Sequence, residues 1–516
     1  MALAEDQAHL PVRYKGLTTV AIMAAMVMQV LDTTIVNVAL PHMSASLSAS
    51  PETISWVLTS YILASAVAIP ITGWLADRIG AKKLFVISVA TFTIASILCG
   101  IAQNITEMVL FRTLQGIGGA FLGPLAQTLM LDINKRSEQA KAMSVYGMGV
   151  MIGPIMGPIV GGYLTEWIDW RWCFFVNVPV GILCLAGLIA LLPEKELKRR
   201  DFDLFGFSML ALGLCGLQLM LDRGQHADWF SSTEIWLEGA VAICGLWVFM
   251  VHTATAKKPL FAPDLFADRN FLSASVFMFI IGMVMFAAMA LLPSLLEGLF
   301  GYSVVDTGEI LASRGVGVLL TMAISGKIVS KVDPRFMVAG GFSLSALSLW
   351  MMTGWSLEQG FAPFVITGLI QGLGIGLVFV PLQMLAFGTL PPASRTEGAA
   401  VLNLTRNIGS SIGIAIVVAL MARNSQISHA DLAQHVSPNN LPVDPAELSR
   451  FGDYGSAILQ MTDGLVNRQA AMIAYLDDFY IMTWACVLAI PAAFLLKKPK
   501  PRPAGGPSEP APVMAE

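Results

Sequence analysis

Long apolar segments recur along this 516-residue chain, and they constrain its fold more than any other feature. About 20 consecutive apolar residues span a bilayer as a helix, and segments of about 18–24 such residues appear throughout. Only 13% of the residues are charged, whereas a soluble domain has about 25%. The pattern predicts fourteen membrane helices, at about 17–39, 54–76, 84–102, 108–131, 142–163, 172–192, 204–221, 234–252, 271–293, 307–326, 336–354, 362–385, 399–421 and 478–496.

The basic residues predict the orientation of these spans. When the spans alternate from the N-terminus, most of the 31 Lys and Arg residues fall on the same side as that terminus. The other side carries only Arg171, Arg223, Arg423, Arg450 and Arg468. Since Lys and Arg concentrate on the cytoplasmic side, we expect both termini in the cytoplasm. The net charge of −4 gives no basic field, so no nucleic-acid partner is expected.

An internal repeat divides the chain into two halves. Residues 115–118 (QGIG) match residues 371–374 (QGLG) at a shift of 256, which also places Arg112 on Gly368. Duplicated six-helix halves are typical of transporters. The prediction is an all-α polytopic membrane protein with two six-helix bundles and two extra helices. Its predicted parts are a cytoplasmic N-terminus at 1–16, an N-terminal bundle at 17–200, two extra helices at 201–256, a C-terminal bundle at 257–500 with an outside loop at 422–477, and a disordered cytoplasmic tail at 501–516.

Four charges lie inside the predicted spans: Asp32, Arg112, Arg314 and Arg406. A charge near the bilayer centre costs at least about 2.5–3.5 kcal/mol on insertion scales. Such residues usually face one another or a water-filled pathway, so they mark an ion or substrate route.

Asp32 is the best candidate for a proton-carrying residue. Burial favours protonation of a carboxylate, and a cationic substrate or Arg112 nearby opposes it. Competition of this kind exchanges a proton for a substrate. The structural alternatives are a static ion pair or hydrogen bonds to Thr33, Thr34 or Asn37.

Four motifs identify the family that this chain resembles. They are LDTTIVNVALP (31–41), GWLADRIGAKKL (73–84), LFRTLQGIGGA (110–120) and GMGVMIGPIMGPIVGGYL (147–164). Together they resemble the major facilitator superfamily, and specifically the fourteen-helix drug:proton antiporters of the EmrB/QacA type. On physical grounds alone, the glycines are equally expected from close helix packing. The segment QAAMIAYLDDF (469–479) resembles the EmrB branch, and we interpret WRWCFFVNVPVG (170–181) as structural.

The resemblance implies roles for individual residues. Asp32 and Arg112 are implied in proton coupling. The candidate residues of the substrate cavity are Asp32, Arg112, Gln115, Gln371, Asn403 and Arg406. A conformational latch is implied at Gly73, Asp77, Arg78, Gly80 and Asp132, with Asp77 engaging the start of the 399–421 helix in the outward-open state. The antiporter-motif helix is marked by Gly149, Gly153, Pro154, Gly157, Pro158 and Gly161.

The predicted function is proton-driven efflux of hydrophobic or amphipathic small molecules across the bacterial inner membrane by alternating access. No nucleotide-binding GxxxxGK[ST] motif is present, so the proton gradient is the expected energy source and no cofactor is expected. Membrane lipids and hydrophobic substrates are the expected partners. The EmrB resemblance adds a periplasmic adaptor (an EmrA-like membrane fusion protein) and an outer-membrane channel. The alternatives are a dedicated exporter of one lipid-like molecule, such as a fatty acid, and a non-transporting receptor.

Overall fold

The computed structural model describes residues 7–194, 197, 201–329, 331–436 and 453–496. The polar stretch 437–445 of the predicted outside loop and the predicted tail 501–516 lie outside these residues. Within the described part the regular structure is helical. The main helices are α1 Lys15–Ser46, α2 Trp56–Ile79, α3 Ala81–Ile101, α4 Ile105–Ala120, α5 Leu122–Asp132, α6 Gln139–Trp167, α7 Trp172–Leu191, α8 Leu204–Arg223, α9 Thr233–Thr255, α10 Arg269–Ser294, α11 Val304–Ile328, α12 Pro334–Met352, α13 Phe361–Gly388, α14 Arg395–Gln434 and α15 Asp453–Ala492.

The predicted span at 108–131 is interrupted. Thirteen helical segments of the described chain are long and apolar enough to cross a membrane, and this span is absent from that count because it consists of α4 and α5. Pro124 lacks the amide hydrogen that would bond to the carbonyl of Ala120, which explains a break at Phe121. Helix therefore occupies all fourteen predicted positions.

The described parts of the predicted outside segment 422–477 are helical. Helix α14 continues past the expected end at 421 to Gln434, and α15 begins at Asp453. The two extensions contact each other through Asn424 Nδ2, which donates to Asp477 Oδ2 over 3.3 Å. His429 Nε2 also lies 3.2 Å from Asp463 Oδ1. Polar pairs on facing surfaces let these helices continue side by side.

Packing follows the two halves of the sequence. Helix α1 packs on α6 and α7, and α4 packs on α2 and α3. In the second half α13 packs on α11 and α12, while α14 packs on α10 and α15. Helices α8 and α9 pack on each other, and α8 joins both halves. Asp222 of α8 accepts a hydrogen bond from Thr59 of α2, and Gln218 accepts one from Ser411 of α14 over 2.8 Å.

The two halves meet through residues that the repeat relates. Gln127 of α5 donates a hydrogen bond to Gln383 of α13, and these two positions are separated by exactly the repeat shift of 256 residues. Helix α6 also packs along α11, where Ser144 Oγ donates to the carbonyl of Met322 over 2.8 Å. Contact between equivalent residues places Gln127 and Gln383 on the approximate two-fold axis of the molecule.

One end of the helix bundle is closed by polar contacts. We name the end where α1 begins the proximal end, and the opposite one the distal end. At the proximal end Lys15 pairs with Glu138, and the amide of Leu10 donates to the carbonyl of Asp132 over 2.8 Å. The carboxylate of Glu397 accepts a hydrogen bond from the amide of Ala262. Segments from the whole length of the chain therefore meet at this end.

Candidate transport site

The centre of the first half contains a buried ion pair. Asp32 of α1 and Arg112 of α4 are both fully buried, and Arg112 Nη1 lies 2.7 Å from Asp32 Oδ2. Gln115, one turn further along α4, donates to Asp32 Oδ1 over 2.9 Å and accepts from Arg112 Nη1 over 2.7 Å. The structure thus joins three of the predicted site residues in one network.

Asn177 completes this network, and the sequence analysis missed it. Its side-chain amide donates to Asp32 Oδ1 over 2.8 Å and to Ser96 Oγ over 3.1 Å. The interpretation of 170–181 as merely structural was therefore incomplete. The available signal was an asparagine at the start of an apolar span, where an amide needs a polar partner. Among the described residues, Arg112, Gln115 and Asn177 each donate a hydrogen bond to the Asp32 carboxylate.

Aromatic and apolar side chains surround the guanidinium of Arg112. Its central carbon lies 4.4 Å from the ring centroid of Tyr61 and 5.8 Å from that of Phe174. Its Nε donates to the carbonyl of Val57 over 3.1 Å. Phe174 and Val57 also belong to an apolar cluster with Ile35 and other buried residues. This enclosure excludes water, so removing one partner would leave an uncompensated buried charge at a cost of about 3–5 kcal/mol.

A second polar layer lies between the halves. Asn403 of α14 donates to Gln127 Oε1 over 2.9 Å, and Gln127 in turn donates to Gln383. Arg406 lies one turn after Asn403, and its buried Nε has no hydrogen-bond partner among the described residues. Asn403 and Arg406 therefore belong to the interface between the halves and not to the hydrogen-bond network of Asp32.

Gln371 lies in a third place, inside the second half, and Arg314 lies where α11 of that half faces α6. Gln371 lines a narrow void together with Met285 and Cys486. Arg314 lines two further cavities and is 6% exposed. The residues predicted to share one substrate cavity are thus distributed over three separate locations in this conformation.

The predicted latch residues lie at the proximal end. Gly73 of α2 packs against Glu397 in the first turn of α14, where an added Cβ would lie 3.3 Å from Glu397 Cα. The helix that carries Asp77 therefore meets the start of α14. Gly80 has a φ of +93°, as the predicted tight turn requires. Arg78 lies over Trp74, with its guanidinium carbon 5.2 Å from the ring centroid.

Asp132 has a partner that sequence reasoning did not identify. Its Oδ1 lies 3.0 Å from Nη1 of Arg395, the first residue of α14. The pair connects the end of α5 to the second half, across 263 residues of sequence. The sequence alone places Arg395 only among the many basic residues on the side of the N-terminus.

The antiporter-motif helix α6 lies between two other functional helices. An added Cβ at Gly153 would lie 2.8 Å from the backbone nitrogen of Leu31, and one at Gly157 would lie 2.0 Å from Thr34 Oγ1. These glycines hold α6 against α1 on either side of Asp32. On its other face Pro154 lines the larger of the cavities beside Arg314. The remaining predicted positions on this helix are Gly149, Pro158 and Gly161.

Asp478 is a buried acid that the sequence analysis did not single out. It lies on α15, is fully buried, and neither carboxylate oxygen has a hydrogen-bond partner among the described residues. Its neighbour Phe479 packs edge-on against Trp355, with centroids 5.6 Å apart. The sequence signal was an acid at the start of the last apolar span.

Comparison with known proteins decides the family. The family model described as "Major Facilitator Superfamily" matches residues 22–414. This chain belongs to the major facilitator superfamily. The resemblance inferred from the four motifs is confirmed, and the superfamily is one of transporters and not of enzymes.

Curated relatives place this major facilitator protein in the EmrB branch. It is 33% identical to the multidrug export protein EmrB of Escherichia coli (strain K12), over 95% of this chain and 96% of that protein. It is 32% identical to the fatty acid resistance protein FarB of Neisseria gonorrhoeae, over 95% and 97% of the two chains. Together with the membrane helices, these relatives make it a multi-pass protein of the bacterial inner membrane.

Solved structures confirm the major facilitator fold. The human organic anion transporter MFSD10 superposes with a TM-score of 0.59 at 12% identity, covering 92% of this chain and 99% of that one. A bacterial homologue of the lysosomal transporter Spinster, in an inward-facing and unoccupied conformation, gives a TM-score of 0.54 at 17% identity, covering 93% and 98%. At these identities the likeness shows the fold alone.

Proposed function

We propose that this chain is a proton-driven antiporter that exports hydrophobic or amphipathic small molecules across the inner membrane. The names of its relatives, which include a multidrug exporter and a fatty-acid resistance protein, support export. The observation that carries proton coupling is the fully buried Asp32 with Arg112 as its counter-ion. No other described carboxylate in the first half combines full burial with a basic partner at the centre of a span.

The exchange of a proton for a substrate follows from the hydrogen bonds of Asp32. The hydrogen-bond donors to its carboxylate come from two other helices, α4 through Arg112 and Gln115, and α7 through Asn177. A small shift of α1 against α4 lengthens these hydrogen bonds and favours the protonated acid. A substrate entering beside the ion pair has the reverse effect when it brings a positive charge. Proton uptake and substrate release are thereby linked to one conformational change.

Within a cycle of alternating access, we assign this structure to the outward-facing state. The positive-inside rule supports placing the proximal end in the cytoplasm. The contacts of Asp132 with Arg395 and of Gly73 with Glu397 then close the cytoplasmic side, as in an outward-facing transporter. The two halves would rock about Gln127 and Gln383, the equivalent residues on the approximate two-fold axis.

Breaking the proximal closure is expected to slow export. Arg395→Gln removes the ion pair with Asp132, whose side chain is 2% exposed, and so destabilises the outward-facing state. We expect the export rate to fall about tenfold, which corresponds to about 1.4 kcal/mol. The control is Arg223→Gln, which removes an exposed pair with Glu234 and should have little effect. Equal export by both variants would contradict the latch.

The partnership with an adaptor is supported by the length of α14 and α15. Each helix has 40 residues, and at 1.5 Å per residue this is about 60 Å, twice the thickness of the hydrocarbon core. The paired extensions therefore project beyond the distal end, where a periplasmic adaptor would reach them. Co-purification of an adaptor from native membranes would support a tripartite pump, whereas a chain that purifies alone and exports alone would contradict it.

The function is tested by proton release from acid-loaded inverted vesicles that contain the wild-type protein. A panel of lipophilic cations and amphipathic weak acids is added, and the external pH is recorded. Release with compounds of several classes supports a multidrug antiporter. Release with fatty acids alone supports the second candidate, a dedicated exporter of one lipid-like molecule, which the similarity to FarB favours. Absence of release with every compound would refute antiport.

A further inference from the structure

Two buried oxygen atoms beside the Asp32 network have no hydrogen-bond partner among the described residues. They are the hydroxyl Oη of Tyr61 and the side-chain Oε1 of Gln29. The ring of Tyr61 lies over the guanidinium of Arg112, with its centroid 4.4 Å from the central carbon, and the Gln29 side chain adjoins the Tyr61 hydroxyl. A buried polar atom without a partner costs about 1–3 kcal/mol. One water molecule between the two side chains would supply a partner to both.

Both side chains lie on the proximal side of the ion pair. Gln29 precedes Asp32 by almost one turn of α1, and this helix begins at the proximal end. The carbonyl of Val57 on α2 accepts the hydrogen bond from Arg112 Nε. Tyr61 lies about one turn after Val57, in the direction in which α2 runs toward the proximal end. Polar atoms therefore extend from the ion pair toward that end.

These polar atoms reach the interface between the halves. An added Cβ at Gly119 of α4 would lie 2.7 Å from Tyr61 Oη. About one turn further along the chain, an added Cβ at Gly123 would lie 3.9 Å from Gln29 Oε1 and 3.4 Å from Asn403 Oδ1. Since Asn403 belongs to the second half, the Gln29 oxygen lies next to the interface.

On the distal side the polar contacts of Asp32 end among apolar side chains. Asn177, which donates to Asp32, also donates to Ser96 Oγ, and Ser96 in turn donates to the carbonyl of Phe174 over 2.8 Å. Phe174 belongs to the apolar cluster that contains Ile35, which follows Asp32 on α1. A proton that left in this direction would have to cross apolar packing, where a charge is costly.

We propose that Tyr61 and Gln29 form the path by which the proton of Asp32 reaches the interface between the halves, with one water molecule held between their side chains. This inference rests on the proposed proton-coupled function and names the residues that carry its proton away from Asp32.

The transfer leaves both path residues unchanged. The shift of α1 against α4 that favours protonated Asp32 also opens the enclosure of Arg112, and water entering there takes the proton from the acid. The Tyr61 oxygen accepts this proton as it releases its own hydroxyl proton to the bridging water. Gln29 Oε1 accepts a hydrogen bond from that water and stabilises its charge without being protonated. Asp32 is left as the carboxylate, and the proton leaves at the interface.

The position of the path gives the transfer a direction. In this structure the pair of Asp132 with Arg395 closes the proximal end of the interface. The path from Asp32 then leads to a closed seam. When the halves rock and the seam opens, the same path leads to the cytoplasm, so the proton is released there and only in the inward-facing state.

Tyr61→Phe tests the path, because it removes the hydroxyl and keeps the ring over Arg112. Proton release from acid-loaded inverted vesicles is driven by tetraphenylphosphonium, or by whichever compound of the panel the wild type exchanges for protons. We expect the maximal rate to fall at least about tenfold, with an unchanged substrate concentration for the half-maximal rate. Gln29→Leu, which alters only the other path residue, should lower the rate in the same way. The control Tyr475→Phe removes the hydroxyl of another buried tyrosine, on α15, and should release protons at the wild-type rate.

Deuterium oxide gives a measurement that a purely structural role would not change. In the wild type we expect the conformational change to limit the rate, so deuterium oxide should slow it little. In Tyr61→Phe and Gln29→Leu proton transfer should limit the rate, so deuterium oxide should slow both variants more than it slows the wild type. Wild-type rates in either variant would overturn the proposal, as would slowed variants with the isotope effect of the wild type.

The wild type separates this inference from the proposed function. If it releases protons and either variant does so equally fast, only the path through Tyr61 and Gln29 is excluded, and Asp32 keeps its role. If the wild type releases no protons with any compound of the panel, the antiport function itself is refuted.

Discussion

Asp32→Asn is expected to abolish substrate-driven proton release. Asparagine has nearly the same shape as aspartate but carries no titratable proton. It also leaves Arg112 as a buried charge without a counter-ion, at a cost of about 3–5 kcal/mol. We therefore expect a marked loss of thermal stability together with the loss of coupling. Both quantities are measured on the purified protein, by its melting temperature and by proton release from acid-loaded vesicles.

The double variant Asp32→Asn with Arg112→Met separates coupling from stability. Removing both charges of a buried pair is often neutral or stabilising, whereas removing one is not. We expect the double variant to regain most of the lost stability and still to release no protons. Proton release by this stable double variant would exclude Asp32 as the proton carrier. Asp478, the buried acid of α15, would then be the next candidate for the proton carrier.

Much of the Asp32 site could be predicted from the positions of charged residues within apolar spans. A charge in an apolar span needs a partner, and Asp32 and Arg112 were the two opposite charges available in the first half. The open alternatives for Asp32 included an ion pair, and the structure shows that pair at 2.7 Å. Thr33 and Thr34 donate to carbonyls of their own helix or of α6. The contribution of Asn177 could not be predicted in the same way, because an uncharged amide in an apolar span does not call for a partner of opposite charge.

The separation of the candidate cavity residues could not be predicted. Gln115 and Gln371 occupy equivalent positions of the repeat, and both are candidates for one substrate cavity. The structure instead places each glutamine inside its own half, with an acid beside the first and a void beside the second. The partner of a side chain depends on how helices distant in sequence pack, as with Asp132 and Arg395. No local pattern contains that information.

The break in the fourth span could be anticipated only in part. Pro124 was visible in the sequence, and a proline inside a helix removes one hydrogen bond. Whether the helix bends or stops depends on its neighbours. In the structure α4 ends at Ala120 and α5 begins at Leu122. The break separates the Arg112 network on α4 from Gln127 on α5, so the two polar layers of the molecule lie on different helical segments.

Gly153→Ala is expected to impair export strongly for a change of one methyl group. The added Cβ would lie 2.7 Å from the carbonyl carbon of Val30 and 2.8 Å from the nitrogen of Leu31. Backbone atoms cannot rotate out of the contact as a flexible side chain can. Helix α1 must therefore move away from α6. Overpacking of this kind costs about 1–3 kcal/mol.

The movement acts directly on Asp32, because it lies next to Leu31 on α1 and its hydrogen bonds to two other helices have little room to adjust. We expect the export rate of Gly153→Ala to fall at least about tenfold, equivalent to about 1.4 kcal/mol. The matched control is Gly388→Ala at the end of α13, where an added Cβ meets nothing within 4 Å. Export is measured as the efflux rate of a lipophilic cation from cells with equal amounts of each protein. Wild-type export by Gly153→Ala would show that the close contact between α1 and α6 is not needed to position Asp32.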